Sequence, residues 1–151
     1  MQQFRDAALS VNNTVTWIFS AVTSLSEALR ERYDTQNYTE QTKAYIRAHL
    51  RESFTRQDIA DHVHLSQNHL ARIFRKETGM SIAEFTLQQR MGQAVELLAH
   101  TELSVGEIAE RVGYENYSYF LTLFRRVTGT TPSKYRAKYV EETLERGEEH
   151  G

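Results

Sequence analysis

FRKETGMS, residues 74–81, returns fifty positions later as FRRVTGTT, residues 124–131. The echo is wider than eight letters. Ile59, Ala60 and Val63 recur as Ile108, Ala109 and Val112, and after one inserted residue Phe74, Arg75, Thr78 and Gly79 recur as Phe124, Arg125, Thr128 and Gly129. Thr55, Asp58, Ser81 and Phe85 have the conservative counterparts Ser104, Glu107, Thr131 and Tyr135. Each copy reads helix, short turn, helix. In the first, Ile59, Ala60 and Val63 form an apolar edge, Leu65 lies in the turn, Ser66 caps, and Leu70, Ile73 and Phe74 line one face of a second helix. The opposite face carries Asn68, Ala71, Arg72 and Arg75 at intervals of three and four. An amide, a small residue and guanidiniums on an exposed face suit base edges and phosphates, because Arg pairs bidentately with guanine and Asn with adenine.

Outward from the echo, the helix signals continue. Three capping-box patterns, Thr55-x-x-Asp58, Ser81-x-x-Glu84 and Ser104-x-x-Glu107, set a hydroxyl against an orphan N–H and an acid near the positive helix end. Thr131 before Pro132 marks a fourth start. Gly79 and Gly129 sit where helices should stop in a left-handed cap. Ile82, Phe85, Leu87, Met91, Val95 and Leu98 predict one long helix between the copies, about 27 Å over eighteen residues at 1.5 Å each. Ala44, Tyr45, Ala48 and the stems around His49 and Leu50 predict a helix before the first copy. Tyr114 and Tyr119 are expected in the core.

Nearer the start, Phe4, Ala8, Val11, Val15, Ile18, Val22, Leu25 and Leu29 follow steps of four and three, a heptad seam held over three to four repeats. Its flanks (Ala7, Thr14, Ala21, Ala28 and Phe19) are uncharged, so the apolar face is wider than a two-stranded coil needs. The seam predicts a helix packed on another helix, by dimerisation or against its own domain. Trp17, beside the seam, is expected to pack. TQNYTEQ, residues 35–41, reads as a polar, turn-like boundary. The division expected is an N-terminal helix over 1–38, a double helix-turn-helix domain over 39–140 and an acidic tail over 141–151, a fraying helix end followed by solvated residues.

The 151 residues suffice for one domain or two very small ones sharing a core. Seven Gly and one Pro leave few breakers and favour an all-α chain. With no Cys there is neither a disulfide framework nor a thiolate metal site. Six His invite a metal reading, especially His62, His64 and His69, but a turn is expected between His64 and His69, and surface histidines are the reading preferred. No export signal is visible, and the most apolar window, VTWIFSAV, is far shorter than a membrane span. No phosphate-cradling, nucleophile-elbow or zinc-hydrolase motif is present, so no catalysis and no cofactor are expected. The net charge of −2 conceals a gradient. Residues 39–140 carry fourteen basic against eleven acidic groups, whereas residues 141–151 carry one against five.

IADHVHLSQNHLARIFRKETGMSIAEFTLQQRMGQAVELL, followed by SVGEIAERVGYENYSYFLTLFRRVTGTTPSKYR, resembles the DNA-binding domain of the AraC/XylS family of bacterial transcription regulators. The resemblance covers about residues 40–140 and rests on Ile108, Ala109, Val112, Gly113, Tyr114, Tyr119, Phe120, Phe124, Arg125, Gly129, Pro132, Tyr135 and Arg136. It implies two helix-turn-helix subdomains joined by a long helix, each placing its second helix in successive major-groove segments of double-stranded DNA, about 34 Å apart. It puts the base-reading positions of the first unit at Gln67, Asn68, Ala71 and Arg72, and those of the second at Tyr117, Ser118, Leu121 and Thr122. Thr122 departs from relatives that carry a base-contacting side chain there, so unequal specificity is expected, with the first helix reading and the second anchoring. Arg75, Lys76, Arg125 and Arg126 lie toward the helix ends, where phosphate contact and helix-dipole complementation are both open.

The function expected is that of a sequence-specific DNA-binding transcription regulator in the cytoplasm, associated with the nucleoid. Its further partners would be a second copy through the N-terminal helix and RNA polymerase if it activates, with no membrane. The reading from a different class is a helical protein-interaction module without specific DNA binding. The chain is also expected to be the C-terminal piece of a larger regulator, its seam the helix that joins it to a sensor.

Overall fold

In the computed structural model, which describes residues 2–148, seven helices follow one another without a strand among the described residues: α1 (Gln2–Ala48), α2 (Arg56–His62), α3 (Gln67–Thr78), α4 (Ile82–His100), α5 (Val105–Arg111), α6 (Tyr117–Thr128) and α7 (Pro132–Glu148). Two cores form. Ile46, Ile59, Ala60, Val63, Leu70, Phe74, Ile82 and Phe85 close the first, around α2 and α3. Met91, Ala94, Leu98, Ile108, Ala109, Val112, Phe120, Leu123 and Phe124 close the second, around α5 and α6. The long helix α4 belongs to both, giving its first turns to one core and its later turns to the other. Its 19 residues make a rod of roughly 28 Å.

Local chemistry explains the boundaries. All three capping boxes form, with the Thr55, Ser81 and Ser104 hydroxyls accepting from the N–H groups of Asp58, Glu84 and Glu107 while those carboxylates accept from the cap N–H groups. Gly79 and Gly129 close α3 and α6 at φ 77° and 79°, each N–H donating to the carbonyl four residues back. Beside each, a threonine hydroxyl repeats one role: Thr78 donates to Phe74 O at 2.7 Å and Thr128 to Phe124 O at 2.8 Å. The echo in the sequence is thus an echo in space.

The expected turn at residues 35–41 does not occur, because α1 runs through it unbroken for 47 residues. The first glycine of the chain is Gly79 and its proline is Pro132, so nothing in this stretch breaks a helix. Hydroxyls in it and just beyond it fold back onto the helix instead: Thr35 donates to Glu31 O at 2.7 Å, Thr39 to Thr35 O at 3.1 Å and Thr42 to Tyr38 O at 2.8 Å. Satisfied in this way, Thr39 and Thr42 are buried against the body beside Ile46, and the helix signalled by Ala44, Tyr45 and Ala48 forms as the last turns of α1, with Ala44 and Ala48 on its exposed side.

Val11, Val15, Ile18, Val22, Leu25 and Leu29 are all exposed, so this part of the seam does not pack on the chain's own domain, and Trp17 is exposed at 71% rather than packed. Phe4 and Ala8 lie outside the residues whose side chains are described, as do the last three residues of the acidic tail altogether. The part of that tail that is described continues α7 to Glu148.

Candidate nucleic-acid interface

Both second helices, α3 and α6, are twelve residues long and capped at the N-terminus by a side chain, Ser66 accepting from His69 N–H and Asn116 from Tyr119 N–H. Each buries one stripe, Leu70, Ile73 and Phe74 in α3 and Phe120, Leu123 and Phe124 in α6. That burial fixes which residues face outward. Gln67, Asn68 and Arg72 are exposed and Ala71 half-buried; in the same register Tyr117, Ser118 and Thr122 are exposed and Leu121 half-buried. Arg75, Lys76, Arg125 and Arg126 are exposed in the last turns.

Two of the eight outward side chains are already engaged. Gln67 Nε2 donates to Gln57 Oε1 at 2.5 Å, and Gln57 Nε2 donates to Asp61 Oδ1 at 2.5 Å. A carboxylate only accepts, so Asp61 sets the polarity of this chain and leaves Gln67 presenting its oxygen outward. In the second unit the Thr122 hydroxyl donates to Ser118 O of its own helix at 3.0 Å. A short hydroxyl whose proton is held by the backbone is a weaker reader than a guanidinium.

Four basic side chains of α3 and α6 fall on two different concave surfaces. Arg75 and Arg126 line an open cleft of roughly 750 Å³ between the units, together with Ala71, Tyr119 and Leu123. Arg56 and Arg90 line the same cleft and were not among the expected site residues. Arg72 and Lys76 instead line a groove between α3 and α1, opposite Glu27, Glu31 and Asp34. Tyr119 was expected in the core but is 56% exposed, with its ring edge-on to that of half-buried Tyr114 at 6.1 Å between centroids. Its partner Tyr114 is packed against the second core, and burial pushes its hydroxyl pKa up, with the nearby Arg90 guanidinium pulling the other way.

Tyr45 stacks on His49 at 4.1 Å and lies 4.9 Å from His62. Among the described residues, no group of three or more His, Asp or Glu stands close enough to hold a metal ion, and no helix is long and apolar enough to cross a membrane.

With this geometry in place, comparison with known proteins is specific. The family described as "Helix-turn-helix domain" matches residues 59–138. The arabinose operon regulatory protein of Escherichia coli (strain K12) is 31% identical over 130 residues, covering 85% of this chain and 44% of that protein. The C-terminal domain of AraT, a response regulator from Geobacillus stearothermophilus, superposes with a TM-score of 0.65 at 35% identity, covering 67% of this chain and 84% of the other. The DNA-binding domain of AdpA, solved in complex with a target DNA, superposes with a TM-score of 0.66 at 32% identity over 69% of this chain and 94% of the other. The chain spans only 32% to 44% of the length of four curated relatives it resembles.

Proposed function

We propose, from the premise that this chain belongs to the AraC/XylS family of helix-turn-helix regulators, that it binds double-stranded DNA through α3 and α6 and regulates transcription by that binding rather than by catalysis. The observation that carries the reading is the paired register of the two helices, each burying one stripe and turning its other face out, with basic residues in the last turn of both. The relative solved with its target DNA supports the same assignment. In this reading α3 and α6 enter successive major-groove segments about 34 Å apart. Gln67, Asn68, Ala71 and Arg72 meet bases under α3, Tyr117, Ser118, Leu121 and Thr122 lie over bases under α6, and Arg75, Lys76, Arg125 and Arg126 meet phosphates. Specificity is unequal, the exposed Arg72 guanidinium reading more than the backbone-engaged Thr122 hydroxyl.

A salt titration of duplex binding tests this. The logarithm of affinity should fall against log salt with a slope of about 0.9 per phosphate neutralised. Absence of duplex binding at low salt by the folded protein would reject the reading and favour a protein-interaction module.

The second copy expected through α1 is part of the same proposal. At 100° per residue, the exposed seam from Val11 to Leu29 points on the order of 120° away from the Thr39, Thr42 and Ile46 face that meets the body. One helix can therefore hold its own domain on one side and a partner on the other. Val15 and Val22 at one core position, with Ile18 and Leu25 at the other, give a partner helix an unbroken aliphatic seam. Sedimentation of Val22→Glu beside the wild type tests it, with dimer lost only in the variant; a wild type that stays monomeric at all concentrations rejects it. RNA polymerase, if the protein activates, and nucleoid association in the cytoplasm complete the proposed setting.

A further inference from the structure

None of α1, α2 and α3 packs broadly against α5, α6 or α7 among the described residues; α4 is the shared element. A single helix joined at both ends can bend and twist, so something else must set the angle between the two units. That something is a junction around Arg90, halfway along α4. Its Nη2 donates to Glu52 O at 3.0 Å, in the loop that precedes α2. Its Cζ lies 5.7 Å from the Phe54 ring, on the same loop, and 5.2 Å from the Tyr114 ring, in the turn of the second unit, both within cation–π reach. Beside Tyr114, Gly113 comes so close that an added Cβ would stand 2.4 Å from Leu50 O and 3.0 Å from the Arg90 guanidinium. A loop of the first unit, the linker and the turn of the second unit therefore meet at one arginine.

Leu87, three residues before Arg90, packs against the second core and Ala94, four after it, is buried in it, so Arg90 occupies the packed side of α4. Its Nε is buried without a hydrogen-bond partner. Burying part of a cation at that cost is offset here by one carbonyl and two aromatic faces drawn from both units.

We propose that Arg90 is a positioning residue that braces the two reading helices at one separation and angle, and so makes the protein selective for the spacing between its two half-sites. The proposal rests on the DNA-binding reading. One inserted base pair moves a half-site by about 3.4 Å and turns it by about 35°. Two readers held at a fixed angle cannot follow both changes, whereas two readers on a freely bending helix can.

The test begins with duplexes selected by the wild type, re-synthesised with one base pair inserted or deleted between the half-sites. The wild type should lose on the order of a hundredfold in affinity for the altered spacings, as expected when most contacts of one half-site are lost. Arg90→Ala should lose only a few-fold between spacings, with its affinity for the best site reduced by about tenfold or less. An unchanged spacing penalty in Arg90→Ala overturns the proposal; so does an unchanged penalty accompanied by a salt slope lowered by about one, which would make Arg90 a phosphate contact. If Arg90→Ala does not fold, Phe54→Leu takes its place, removing one aromatic face while leaving the bond to Glu52.

A readout without DNA keeps the brace separable from the function. The chain contains no cysteine, so Glu77→Cys and Val127→Cys place spin labels at equivalent exposed positions of α3 and α6 alone. A narrow distance distribution that broadens on Arg90→Ala supports the brace, and identical distributions overturn it. Failure of all duplex binding with that broadening intact would reject only the DNA-binding reading.

Discussion

The two units differ most tellingly at the turn between their helices. In the first, His64 takes φ 58°; in the second, Gly113 takes φ 90°. Both turns close with the same bond, Leu65 N–H to Ala60 O at 3.0 Å and Tyr114 N–H to Ala109 O at 2.9 Å. A histidine pays some strain in the left-handed region, yet it is tolerated where the turn faces solvent. The second turn meets the carbonyl of Leu50, so a side chain there has no room whatever its backbone preference. One scaffold is used twice, and in the second unit its turn stands against a neighbour.

That comparison can be broken most forcefully at the cores. Phe74 and Phe124 are both fully buried at equivalent positions, so Phe74→Ala and Phe124→Ala should each destabilise by about 3–5 kcal/mol in urea unfolding. A large inequality would mean the cores are not equivalent. The turns come next. Gly113→Ala should cost about 2–4 kcal/mol, because strain and a backbone collision act together, while His64→Gly should change stability by within about 1 kcal/mol. Equal small effects would remove the claimed close approach to Leu50.

The reading faces sharpen it further. Arg72→Ala should erase about 1–3 kcal/mol of discrimination at one base pair, and Thr122→Ala much less, as measured by binding-site selection with each variant. Equal loss would end the asymmetry. The smallest effect is pH dependence. Backbone and then hydroxyl hydrogen bonds from Thr55, Ser81 and Ser104 hold the Asp58, Glu84 and Glu107 carboxyls below their ordinary pKa values. A depressed folded pKa contributes stability that is present above the unfolded value and lost as pH falls through the folded one. Acid should therefore weaken α2, α4 and α5 below the ordinary carboxylate range, and Ser104→Ala should reduce that dependence in a pH series of melts. The caps of α3 and α6, Ser66 and Asn116, have His69 and Tyr119 at the third position in place of an acid, so these two helices lack that source of acid sensitivity.

Most of the fold was legible because its signals are local. A hydroxyl three residues before an acid, or a glycine after an apolar face, acts within one helical turn and needs no knowledge of the rest. The failures share the opposite cause. Thr35 and Thr39 read as part of a turn until the hydroxyl bonds to their own helix, and the burial of Thr39 on the body, are known. Tyr119 reads as core because it is aromatic, yet it occupies the position of His69 fifty residues earlier, and both are exposed. Arg56 and Arg90 were missed because the cleft they line exists only between units. A lone cation between Leu87 and Ala94 on one helix face was the available signal for Arg90.

The unbroken α1 carries a last consequence. Over 47 residues it extends roughly 70 Å, and its final turns bury Ile46 beside α3, against which α1 packs more broadly than against α2. A flexible tether would transmit only distance. A continuous helix also transmits phase, because each residue advances it by about 100°. Whatever grips the seam at Val15 therefore sets the compass bearing of Ile46, and through it the heading at which the first reading helix meets its target.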